Sequence, residues 1–302
     1  TLCGRARALA AEAGMQRLAA MIEQNLGTLA NISGDTEKAL AAYASALERY
    51  KTIDDHLACA YALNNMGMAY VDRREWKVAA DRFAEALEHA MLSDDAEIRG
   101  TIELNTAELH LKSGDLERAR EHCAEAFTIF SKLLSKTSIA ETYKLYSAIY
   151  RAAGKTSLAE THLSVMVELA RECDDKLLEA EIEHERALLH VSEGRNREAL
   201  MALNNAHEIF AIFKARHEVL DIDKRLDRIE ETYLEVMRAW GDSIESKDLY
   251  TAGHCGRVTD YACLVAEAVV FKGRDMTWLR MGAFLHDVGK TAVPVEVLNK
   301  PG

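Results

Sequence analysis

The chain has 302 residues, 49% of them hydrophobic and 28% charged, with a formal net charge of −12. This is soluble globular composition with room for two domains, and so acidic a chain repels phosphate backbones, which argues against DNA as a partner. The longest uncharged stretch, His56 to Val71, is too short and polar to span a bilayer, so no membrane association is expected. With 47 alanines and only two prolines, Pro294 and Pro301, the composition points to an all-α fold of closely packed helices.

From the N-terminus onward the sequence repeats every 40 residues. Gly34, Arg74, Gly114, Gly154 and Gly194 mark one register, followed five residues later by Ala39, Ala79, Ala119, Ala159 and Ala199. Small residues precede the turn by seven positions: Gly27, Gly67, Ala107, Ser147 and Ala187. A period of this length describes a helix-turn-helix unit stacked on copies of itself. Small residues let paired helices approach closely, and a glycine at the turn ends the first helix without a Cβ penalty. Asp54-Asp55, Asp94-Asp95 and Asp174-Asp175 recur between units, where they are expected to cap the next helix rather than to hold metal. Five units fill residues 15–214. Subtracting one period places Cys3 and Ala6 in a second helix, so residues 1–14 are read as the tail of an earlier unit and the chain as cut at both ends.

The stretches NLGTLANISGDTEKALAAYASAL and NNMGMAYVDRREWKVAADRFAEAL resemble the tetratricopeptide (TPR) repeat, in the longer form similar to the repeats of kinesin light chains. The resemblance covers residues 15–213 and implies a helical solenoid with a protein or peptide partner on the concave face formed by the first helices. Asn25, Asn65 and Asn105 share one register of that face. Each amide offers a donor and an acceptor to an extended peptide backbone; the alternative is that these asparagines bond within the solenoid. The register carries Leu145 and Glu185 in the last two units, so the ladder has three rungs.

Residues 215–247 abandon the period. Val219, Ile222, Leu226, Ile229, Tyr233, Val236 and Trp240 follow alternating steps of three and four, the seam of a parallel coiled coil. A long linker helix forming a homodimer is expected, with Arg225 facing Glu230 of the second copy. The alternative is a single helix laying the same stripe on the last repeat.

Residues 248–302 hold the candidate chemistry. They contain six acidic and six basic residues, so the acidic excess lies in residues 1–247. His254 opens one apolar-periodic helix, and His286-Asp287 fall near the end of another, followed by Gly289 and Lys290. On a helix Lys290 is i+4 from His286 and i+3 from Asp287, so all three border one pocket. Two imidazoles and a carboxylate suit first-row metals, and a lysine beside them can hold a phosphate oxygen as a point charge. Alone, this pattern is a weak signal and describes a capping Asp beside a buried His better.

The string YTAGHCGRV, then FLHDVGK, then AVP, then LNKPG, is similar in order and spacing to the opening part of an HD-GYP domain. This all-helical family of metal-dependent phosphohydrolases typically hydrolyses cyclic di-GMP. The resemblance implies that His254, His286 and Asp287 are metal ligands, that Asp287 bridges two divalent ions of iron or manganese type, and that Lys290 contacts the scissile phosphate. Such ions polarise a phosphodiester and activate water near neutral pH. Tyr250 stands where some members carry a glutamate for a third metal, so two ions are expected; Thr251 and Arg257 are read as structural. The family's later histidines, Gly-Tyr-Pro loop and last aspartate are expected beyond Gly302, which leaves the site incomplete and the chain alone inactive or nearly so.

Together these readings describe a bacterial signalling protein in which a TPR region controls a cyclic di-GMP phosphodiesterase. A non-catalytic TPR adaptor with a degenerate HD part, or an HD hydrolase of another nucleotide, are the alternatives. Six cysteines without Cys-x-x-Cys spacing read as reduced thiols, and no signal-peptide pattern is present; both point to the cytoplasm.

Overall fold

A computed structural model of the chain describes residues 9–10, 14–213, 216–245, 253–269, 274–294 and 297. Cys3, Ala6, Tyr250, Thr251 and the Lys-Pro-Gly element at 300–302 lie outside the described residues. Every described element is helical. In chain order they are α1 (Gln16–Ile32), α2 (Thr36–Thr52), α3 (His56–Asp72), α4 (Trp76–Leu92), α5 (Ala96–Ser113), α6 (Leu116–Leu133), α7 (Lys136–Ala152), α8 (Thr156–Cys173), α9 (Lys176–Ser192), α10 (Asn196–Ile212), α11 (Arg216–Glu245), α12 (His254–Ala268) and α13 (Arg274–Phe284), followed by a 3₁₀ segment (Val288–Ala292). None of them is long and apolar enough to cross a membrane. The helices form two compact units, residues 1–193 and 194–302.

In the first unit the turns are two or three residues long, which leaves consecutive helices antiparallel neighbours. The pairs α1/α2, α3/α4, α5/α6 and α7/α8 pack as hairpins, and the first helices α1, α3, α5, α7 and α9 also touch in series, building one continuous face. This is the TPR-type solenoid expected from the 40-residue period.

The turns obey a shorter rule than the sequence displays. Every twentieth residue from 34 to 194 adopts positive φ: Gly34, Asp54, Arg74, Asp94, Gly114, Leu134, Gly154, Asp174 and Gly194. Thus the first aspartate of each Asp-Asp pair makes the left-handed turn, and the second caps the following helix. Asp55, Asp95 and Asp175 accept from the backbone N–H of Ala58, Ile98 and Leu178 at 3.1, 3.0 and 3.0 Å. Each such cap satisfies one orphan helix donor and contributes about 1 kcal/mol.

Small residues in the repeat are matched to large partners sixteen positions on. A methyl group on Gly27 would lie 2.7 Å from the ring of Tyr43, and one on Gly67 would press still harder on Phe83. Where the small residue is Ala107, the partner in the same core cluster is Cys123. The hairpin spacing therefore tolerates glycine with an aromatic ring, or alanine with a smaller side chain.

In the second unit the 30-residue α11 packs on α10 and on α12, α13 and the 3₁₀ segment. Its seam is divided. Ile222 and Leu226 are fully buried and Ile229 nearly so, within the chain's own unit, while Val236 and Trp240 are 42% and 57% exposed. Arg225 pairs with Asp221 of its own helix at 2.7 Å, and Glu230 is buried.

Candidate metal centre and partner-binding face

His254 is the first residue of α12, preceded by Gly253 in the left-handed region (φ 70°). Helix α13 stops at Phe284, and Leu285 to Asp287 turn the chain into the 3₁₀ segment. His286, Asp287 and Lys290 therefore do not share one α-helix, a correction to the sequence expectation. The 3₁₀ geometry still places residues three apart on one side. Lys290 donates its backbone N–H to the Asp287 carbonyl at 2.9 Å and its ammonium to Asp287 Oδ2 at 2.8 Å.

The turn aims His286 at the start of α12. Its Nε2 lies 3.2 Å from Nε2 of His254 and 3.4 Å from Oδ2 of Asp287, and His254 Nε2 lies 4.0 Å from the same oxygen. Two donors on one first-row ion, each roughly 2.1 Å away and roughly 90–110° apart, are separated by roughly 3.0–3.4 Å. Two of the three separations fall in that range and the third needs only a small closure. His286 Nδ1 donates to the Ala283 carbonyl at 2.8 Å, a bond that places the proton on Nδ1 and leaves the Nε2 lone pair for a metal. Each of the three side chains is partly exposed, at 38%, 31% and 20%, so the cluster is open to solvent. Among the described residues this is the one group of three or more His, Cys, Asp or Glu side chains with convergent ligand atoms. Lys290's hydrogen bond holds the Asp287 carboxyl below the usual carboxylate range against partial desolvation, and the two histidines reinforce it.

The asparagine register sits on the first-helix face. Asn25 lines a cleft of about 220 Å³ with Met21, Tyr50, Leu57 and Tyr61. Asn105 lines a second, of about 390 Å³, with Leu104, Glu108, Glu141, Lys144 and Leu145. Asn65 is half-buried at the equivalent position of α3. The ladder is engaged internally at one rung: Asn105 Nδ2 donates to Oδ1 of buried Asn64 at 2.9 Å. The sequence carried a signal for this in the adjacent Asn64-Asn65 pair.

The second cleft is charged. Lys144 bridges Glu141 at 2.6 Å and Glu181 at 2.9 Å, Lys112 contacts Glu108 at 2.8 Å, and Arg151 lies 3.5 Å from Glu185. Burial works against the Lys144 ammonium, but the two carboxylates outweigh it and raise its pKa. Ion pairs thus run along the first-helix face at α5–α9, and the cleft at α1–α3 carries Arg17, paired with Asp55 at 2.7 Å, beside its apolar side chains.

The tetratricopeptide repeat family pattern matches residues 17–91 and 99–172. Among curated proteins, the 3'3'-cGAMP-specific phosphodiesterase 3 of Vibrio cholerae is 41% identical over 75 residues, covering 24% of this chain and 16% of that protein. The cyclic di-GMP phosphodiesterase response regulator RpfG of Xanthomonas campestris is 33% identical over 91 residues, covering 29% of this chain and 24% of that protein. The chain therefore spans a quarter or less of the curated relatives it matches. Among solved structures, the Rap conjugation gene regulator of plasmid pLS20 in complex with the Phr* peptide superposes with a TM-score of 0.57 at 17% identity, over 87% of this chain and 80% of that one. BtubC from P. vanneervenii gives 0.56 at 19%, over 70% and 88%. At these identities the likeness is one of fold. Pattern, period and hairpin geometry agree that this chain carries tetratricopeptide repeats stacked as a helical solenoid.

Proposed function

We propose that this chain belongs to a signalling protein in which the TPR face binds a peptide or protein segment and the His254–His286–Asp287 cluster is part of a metal-dependent phosphodiesterase centre of HD-GYP type. The observation that carries the reading is the convergence of two imidazole nitrogens and a carboxylate from separate elements, with a lysine ammonium on that carboxylate. The two phosphodiesterase relatives support it, and the substrate proposed is a cyclic dinucleotide, with cyclic di-GMP the leading candidate and 3'3'-cGAMP the comparison.

His254, His286 and Asp287 would hold the metal, divalent ions of iron or manganese type, with Asp287 supplying the carboxylate. Bound ions would supply Lewis-acid polarisation of the phosphodiester and a water activated near neutral pH. Ala283 fixes the His286 tautomer through Nδ1. Lys290, 2.8 Å from Asp287, is placed to exchange that carboxylate for a phosphate oxygen of the substrate. Three ligands fall short of what two ions need, so this chain by itself is expected to turn over little or no substrate.

On the TPR side, the asparagines and the apolar cleft at Met21, Leu57 and Tyr61 offer backbone hydrogen bonds and a side-chain pocket on one face. A protein of the same fold holds a peptide. Exposed Val236 and Trp240 leave a short apolar seam on α11 for a second copy. The test is hydrolysis of cyclic di-GMP and 3'3'-cGAMP with Mn²⁺ by a protein carrying this cluster together with the remaining ligands of the family. Loss of turnover in His286→Ala and Asp287→Asn supports the reading, and unchanged turnover in both refutes it.

A further inference from the structure

Gly241 lies inside α11, where glycine is unfavourable because it forfeits backbone entropy and packs no side chain. It is buried. A methyl group placed on it would sit 2.9 Å from the carbonyl oxygen of Phe284 and 3.5 Å from Cβ and Sγ of Cys255. Phe284 follows Ala283, whose carbonyl orients His286 at 2.8 Å, and Cys255 follows His254. A single helix position thus touches a residue beside each element that carries a metal-binding imidazole.

The obstructing atom at Phe284 belongs to the main chain. No rotamer change removes it, so a side chain at 241 is accommodated only by moving α11 or α13. The two histidines stand on different elements, and a displacement of either element alters their 3.2 Å separation. The neighbouring glycines differ: at Gly256 on α12 and Gly282 on α13, a Cβ would meet nothing within 4 Å.

We propose that Gly241 is a positioning residue for the metal centre, its missing side chain letting α11 seat against α12 and α13 so that His254 and His286 face one another at ligand spacing. This rests on the metal-centre reading. It goes further in assigning to a helix outside the ligand-bearing segments a role in setting the affinity and geometry of the site. Because the same helix packs on α10, a shift of α11 reaches the histidines through this contact.

The test is titration of the metal-free chain with Co²⁺, reading affinity and the d–d absorption bands, with circular dichroism as the control for folding. Gly241→Ala is expected to lose about tenfold or more in affinity, as when the support of a ligand is disturbed, and to change the d–d envelope while remaining helical. Gly256→Ala and Gly282→Ala are expected to bind as the parent does. Parent-like affinity and spectrum in Gly241→Ala would overturn the proposal. If that variant fails to fold, hydrogen exchange of the parent decides: Co²⁺ should slow exchange around Gly241 and not around Ile222–Ile229, and equal exchange with and without metal refutes the contact's role. Absence of Co²⁺ binding by the parent would refute the metal centre itself, and this proposal with it, a result distinct from parent-like binding by the variant.

Discussion

The Nε2 atoms of His254 and His286 lie 3.2 Å apart although 32 residues separate them in the chain. With its proton on Nδ1, His286 can accept at Nε2 from His254 Nε2–H. On the proposed reading a cation, with Asp287 as the third donor, would take the place of that bond.

Asn105 and Asn25 should separate stability from binding. Asn105→Ala removes the donor that serves buried Asn64, so it is expected to cost about 1 kcal/mol in denaturant unfolding. Asn25 is exposed, and Asn25→Ala should leave unfolding unchanged while weakening a bound peptide. If both variants unfold like the parent and every partner still binds, the ladder has no role.

Gly67→Ala should cost about 1–3 kcal/mol, because the added methyl drives into the Phe83 ring in a close-packed hairpin. Phe83→Leu in the same chain should recover part of that loss, reproducing the smaller pairing seen at Ala107 and Cys123. Additive losses in the double variant would show that the two positions do not share the space assigned to them.

His162 stacks on Tyr146 and Tyr150 with ring centroids 5.0 and 5.2 Å away, and its Nδ1 is buried with no partner among the described residues. Burial lowers its pKa below the ordinary value. The unfolded chain therefore takes up a proton before the folded one does, and the stability lost on acidification begins below about pH 6.5 and ends at the lower folded value. His162→Phe keeps the stacked ring and removes the proton site. Thermal melts should show the variant's advantage growing from pH 7.5 to 5.5, and a constant difference would contradict the assignment.

The period made most of the first unit legible: small positions, turn glycines and capping aspartates recur at one spacing, and the solenoid physics needs those residue types there. The left-handed turn at Arg74 was legible only from its place in the glycine register, and that at Leu134 not at all, because neither residue favours positive φ. The convergence of His254, His286 and Asp287 was legible only through their order in the chain. The end of α13 at Phe284 was hidden because His286, Asp287 and Lys290 fit an i+3/i+4 pattern as well as a turn and a 3₁₀ segment. The close approach of Gly241 to Cys255 and Phe284 was equally invisible, since no local pattern encodes it.

The most direct measurement is Mn²⁺ and Co²⁺ binding by the metal-free chain, set against the His254→Ala, His286→Ala and Asp287→Ala variants. A metal centre at this cluster requires saturable binding in the parent that each substitution weakens by about tenfold or more, with helical content unchanged. Parent-like metal uptake by all three variants, or no saturable binding by the parent, would contradict it.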